Sequence, residues 1–171
     1  MLKTIRKFFV QALLLYVVLV GCMIVFSFMN SALAVDIEES LRTVPLNDAG
    51  EQVTLSIEQL ASGQRKFNQS CAQCHLDGGS KTNPDVDLTT QTLANATPPR
   101  DSIEGLVNYL MEPTTYDGMQ SLAEFHPSKI KAELFPIMKN FTQEDLQVIA
   151  GYILAEPKIV GSQWGGGKPK R

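Results

Sequence analysis

Cys71, Cys74 and His75 stand together in "SCAQCHLDGG", residues 70–79, and these are the side chains with the most chemistry to offer. A Cys-x-x-Cys pair serves as a redox dithiol, as half of a zinc site or as a haem anchor. The histidine directly behind the second cysteine selects among them. Two thiols three positions apart reach neighbouring vinyl groups of one porphyrin, and the next residue then brings an imidazole beneath the ring to the iron. A thioredoxin-like dithiol belongs early in a βαβ pattern, which these surroundings lack. Structural zinc takes four ligands, and the second histidine, His126, is too distant in sequence for finger spacing. Gly78-Gly79 suits a turn close to a porphyrin edge.

An electron-carrying haem takes a sixth ligand, and the candidates outside the leader described below are His126, Met111, Met119 and Met138. His126 precedes Pro127, which biases it toward extended backbone in a loop. Met111 ends a helical stretch and Met138 lies in the apolar run "LFPIM", the ordinary places for core methionines. Spacing alone leaves His126 and the methionines as competing choices. Ligation by two histidines lowers the reduction potential relative to a histidine–methionine pair.

The elements that must hold these residues are mostly helical. "VPLNDAGEQVTL" places a turn signal between two β-prone runs and suits a small N-terminal hairpin. Ser56 with Gln59 forms a capping box before "IEQLASGQRKF", with Ile57, Leu60 and Phe67 on one face and Gly63 among them. That glycine costs about 1 kcal/mol of helix propensity, which close approach of another backbone would explain. A short helix is expected near Leu93. Asp101 or Ser102 caps "IEGLVNYLM", which Pro113 ends. Thr142 with Asp145 opens "QEDLQVIAGYILAEP", with Leu146, Ile149, Ala150 and Ile153 as its buried stripe and Pro157 as its stop. The remaining loops are long for so small a domain unless a large cofactor organises them.

Lys3, Arg6 and Lys7, an apolar run from Phe8 to about Met29 and the small-x-small "ALA" ending at Ala34 read as an export signal cleaved after Ala34. An uncleaved anchor and a lipoprotein box at Cys22 are the weaker alternatives, and Cys22 reads as a small apolar residue of the signal core. Cleavage leaves one 137-residue domain, 35–171, with twelve basic and eighteen acidic residues, a net −6. Residues 35–167 alone carry −9, because Lys168, Lys170 and Arg171 close the chain. That charge argues against nucleic acid and suits a basic docking surface. Two cysteines so close together close no useful loop, which excludes a disulfide framework. The glycine-rich tail, about 159–171, is expected to be extended, with Trp164 serving either an interface or the domain itself.

Several long segments resemble a known family: "TVPLNDAGEQVTLSIEQLASGQRKFNQSCAQCH", "KTNPDVDL", "ATPPRDSIEGLVNYL", "PTTYDG", "LAEFHPS", "FTQEDLQVIAGYIL" and "WGGGK" are similar to those of PsbV, the extrinsic low-potential cytochromes c (cytochrome c-550) of photosystem II. The resemblance implies a class I cytochrome c-like domain with one covalently bound haem c and crossing terminal helices, here supplied by Gly63/Phe67 and Gly151/Tyr152. It implies thioethers at Cys71 and Cys74, and His75 and His126 as the two axial ligands. It implies docking on the lumenal face of photosystem II, beside other extrinsic subunits and through protein contacts. There the family supports the manganese–calcium cluster and its need for calcium and chloride. The implied location is the thylakoid lumen of a cyanobacterium or algal plastid. Two protein ligands would leave iron no open position, so no enzyme is expected. A soluble electron-transfer cytochrome c is the alternative. The chain departs from the family in ending Pro169-Lys170-Arg171 where an aromatic residue is usual, which makes any docking of the tail polar.

Overall fold

The computed structural model describes Arg6, Gln11 and residues 13–21 and 37–165. The chain divides into two units, 1–36 and 37–171. In the first, residues 13–21 are helical with exposed apolar side chains. Among the described residues no helix is long and apolar enough to cross a membrane. The expected cleavage point at Ala34, and Cys22, lie outside the described residues.

The second unit opens with a one-turn helix, α1 (Glu39–Arg42), and the expected hairpin, β1 (Thr43–Pro45) with β2 (Gln52–Thr54), antiparallel with Val44 opposite Val53. Gly50, at φ 86°, closes its turn. Helix α2 (Ile57–Ser70) starts at the Ser56–Gln59 capping box and stops at Cys71, and α3 (Ala72–His75) adds one turn. Then come α4 (Thr90–Ala94), capped by Thr89, and α5 (Ile103–Met111), where Ser102 rather than Asp101 accepts from the Gly105 N–H. A one-turn α6 (Pro136–Lys139) precedes α7 (Gln143–Val160), which begins at the Thr142–Asp145 box.

Helix α7 is the axis of the domain, about 27 Å long at 1.5 Å per residue. α2 and α5 pack against it, and the hairpin covers part of the remainder. Sequence periodicity predicts a stripe, yet every residue from Val148 to Ala155 is buried. Neighbours on several sides leave that stretch no solvent face. Pro157 does not end the helix, which runs one turn further to Val160. A proline so near the end removes one N–H from the ladder, and the Gly161 N–H still closes the last turn onto the Pro157 carbonyl.

The α2–α7 crossing is closer than side chains permit. A Cβ at Gly63 would overlap the Val148 carbonyl oxygen and lie 2.8 Å from the Tyr152 Cβ. One turn along, Phe67 meets Tyr152 with ring centroids 5.3 Å apart. The expected partner glycine does something else: Gly151 makes room for the Leu55 side chain, which follows the hairpin, and does not face α2.

Candidate cofactor site

Residues from α2, α4, α5, α7 and the loops between them surround a cavity of about 630 Å³, inside the roughly 300–1,000 Å³ span of cofactor sites. Phe67, Leu93, Leu106, Leu110, Leu122 and Ile153 supply apolar wall. Cys71, His75 and His126 lie on it too. Met111, Met119 and Met138 do not: the first two are exposed and the third is buried in the core. Of the four candidates that spacing left open, His126 alone lines this cavity among the described residues.

The Cys-x-x-Cys-His stretch is a single turn after α2, with Cys74 and His75 N–H groups both donating to the Cys71 carbonyl at 3.0 and 2.9 Å. Cys71 faces the cavity, and burial pushes its thiol above the usual value. Cys74 is exposed and lines a shallow depression alongside, which Ser80 shares with the main cavity. Both thiols are free.

His75 and His126 oppose each other with ring centroids 6.1 Å apart and planes inclined at 54°. Two imidazoles that each place a nitrogen about 2 Å from one metal ion have ring centres roughly 6 Å apart. Each ring is oriented from behind. Nδ1–H of His75 donates to the Gly79 carbonyl at 3.0 Å, and that of His126 to the Pro127 carbonyl at 3.0 Å. A carbonyl only accepts, so in the neutral rings Nε2 carries the lone pair. Burial lowers the pKa of both histidines. For His126 the value falls to about 4, from burial first and then the charge of His75, against the Pro127 carbonyl. Two neutral imidazoles with free Nε2 atoms are the state that ligates metal.

Arg100 and Tyr109 were not anticipated. Arg100 is buried, donates to the Thr114 and Thr115 carbonyls at 3.1 and 2.8 Å, and lies over the Tyr109 ring at 4.0 Å. Tyr109 in turn meets His126 edge-on, centroids 5.0 Å apart. No carboxylate among the described residues pairs with Arg100. The only sequence signal was an arginine just after two prolines. Trp164, left open between two roles, packs on the domain: it is 6% exposed and bears on Phe67 and Tyr152. It also gives Gly78 a reason unlike the expected one. A Cβ there would overlap the indole, so the glycine accommodates Trp164.

A family model described as the cytochrome c-550 domain matches residues 35–171. "Photosystem II extrinsic protein V" of Thermosynechococcus vestitus is 54% identical over 148 residues, covering 86% of this chain and 91% of that protein. The protein of the same name in Trichodesmium erythraeum is 48% identical over 163 residues, covering 95% and 98%. The crystal structure of a cytochrome c549 matches with a TM-score of 0.74 at 50% identity, covering 75% of this chain and all of that one.

Proposed function

This chain belongs to the cytochrome c-550 family, and on that premise we propose that Cys71, Cys74, His75 and His126 hold its single haem c. The protein is an extrinsic cytochrome subunit of photosystem II, peripheral on the lumenal side of the thylakoid membrane. The observation that supports the site is the pair of neutral imidazoles facing across an apolar cavity at 6.1 Å, with Cys71 on its wall.

Bound haem supplies one-electron chemistry at iron. The residues do the rest. Cys71 and Cys74 would tether the ring through thioethers, and His75 and His126 would hold the iron through Nε2 lone pairs that their Nδ1–H bonds fix. Phe67, Leu106, Leu110 and Ile153 exclude water. Held by the imidazoles of His75 and His126, a haem would favour the ferric state and a low potential and would offer a substrate no place to bind, which supports a structural and electron-transfer subunit rather than an enzyme. Its role in the complex is to stabilise the manganese–calcium cluster and its calcium and chloride requirement. Residues 1–34 act as the export signal, and the family match beginning at residue 35 supports a mature chain starting there.

The test is the purified mature protein with its photosystem. The expected results are a low-spin spectrum with two imidazole ligands, one haem per chain, an N-terminus at Val35 and release from photosystem II by high-salt or alkaline washing. A methionine-ligated spectrum would remove His126 from the site. A protein found free in the lumen and not stoichiometric with photosystem II would favour the soluble carrier.

A further inference from the structure

The chain's single tryptophan does more than fill space. Trp164 Nε1–H donates to the Leu88 carbonyl at 2.8 Å, and the Gly165 N–H donates to the Asp77 carbonyl at 2.8 Å. The Leu88 N–H donates to the Gly78 carbonyl at 2.7 Å. These bonds form a closed cycle through the end of the described chain, residue 88 and the turn 76–79, with the indole seated on Gly78. The turn needs such a clamp. Asp77 at φ 50° and Gly78 at φ 76° are consecutive left-handed residues, and aspartate adopts that region only at a cost. One residue further, the Gly79 carbonyl is the acceptor that orients His75, with the Ser80 hydroxyl 3.1 Å from the same nitrogen.

We propose that Trp164 is a positioning residue for His75: by holding 77–78 and 88 it fixes the Gly79 carbonyl against the imidazole Nδ1–H, and so couples the C-terminal segment to the reduction potential of the haem. The inference rests on the haem assignment above. A carbonyl accepting from Nδ1–H raises the basicity of Nε2 and favours ferric iron, so freeing the clamp moves the potential up. The effect is one-sided. His126 takes its acceptor from Pro127, the next residue, and its ring contact with Tyr109 lies apart from the clamp.

The experiment uses the mature holoprotein with Trp164→Leu and the milder Trp164→Phe, which keeps a ring over Gly78 and loses the N–H. Leu55→Ala is the control, a buried residue packed against Gly151 rather than the turn. Two quantities are read: the midpoint potential, and solvent exchange of the two histidine Nδ1–H protons by NMR of the reduced protein. The expected result is His75 exchange roughly tenfold faster in the leucine variant, with His126 unchanged and the midpoint more positive. Phenylalanine gives a smaller shift of the same sign, and Leu55→Ala moves neither. Loss of stability in both tryptophan variants with His75 exchange and midpoint at wild-type values would overturn the proposal. A wild-type spectrum without two imidazoles would instead overturn the haem assignment beneath it.

Discussion

Gly63→Ala tests the geometry that holds the whole cavity, because α2 carries Phe67 and leads into Cys71 while α7 carries Ile153. On propensity alone the change should help, since alanine is better than glycine in a helix interior by about 1 kcal/mol. Packing opposes it. The new Cβ would overlap the Val148 carbonyl, which is backbone within α7 and cannot swing aside as a side-chain tip would. Its other near neighbour is the Tyr152 Cβ at 2.8 Å. Overpacking of this kind costs about 1–3 kcal/mol where side chains can adjust. Here helix backbone must move, so the upper half of that range applies. The net expectation is a loss of about 1–2 kcal/mol. Denaturant unfolding of the ferric holoprotein reads it as a lower midpoint at unchanged slope, so that compactness of the unfolded state is not the cause. Asn68→Ala, at an exposed position of the same helix, should be neutral or slightly stabilising. A Gly63→Ala protein as stable as the Asn68→Ala control would refute the close crossing.

His126→Met should keep the haem covalently bound and raise the midpoint potential, because a thioether stabilises ferrous iron relative to imidazole; redox titration of the variant checks it. Ser128 is fully buried, and its hydroxyl has no hydrogen-bond partner among the described residues. Ser128→Ala should therefore be neutral or up to about 1 kcal/mol more stable by denaturant unfolding, and a loss larger than that would mean a partner exists. Asp145 is held below the usual carboxylate range by the Thr142 backbone N–H and by Lys66, whose ammonium is 2.9 Å away. A depressed folded-state pKa adds stability above the unfolded value of about 4 that fades as pH falls through the folded value. Asp145→Asn should remove that part of the acid-side decline in unfolding midpoints, about a few tenths of a kcal/mol for a surface pair that solvent still screens.

Much of this protein was legible before any coordinates. Cys71, Cys74 and His75 need only their spacing to specify haem attachment, since one helical turn fixes their mutual geometry. The caps at Ser56 and Thr142 and the hairpin turn before Gly50 are local hydrogen-bonding chemistry, and each formed as expected. Gly63 among apolar residues foretold a close approach, and of the Gly151/Tyr152 pair that the resemblance implied opposite it, Tyr152 is the one that meets it. Spacing left His126 among four candidates, the resemblance singled it out, and the tertiary structure sets its ring opposite that of His75. His126 stands fifty-one positions after His75, and no local preference brings it, rather than one of the three methionines, opposite that ring. The tertiary structure also decided that α7 runs through Pro157, that Gly151 faces Leu55, and that Gly78 serves Trp164. Each of those depends on a neighbour remote in sequence. Arg100 and Tyr109 reach His126 by the same route. Turns, caps, the Cys-x-x-Cys-His turn and the acceptor behind each imidazole are set within a few residues, whereas bringing His126 opposite His75 takes packing across the fold.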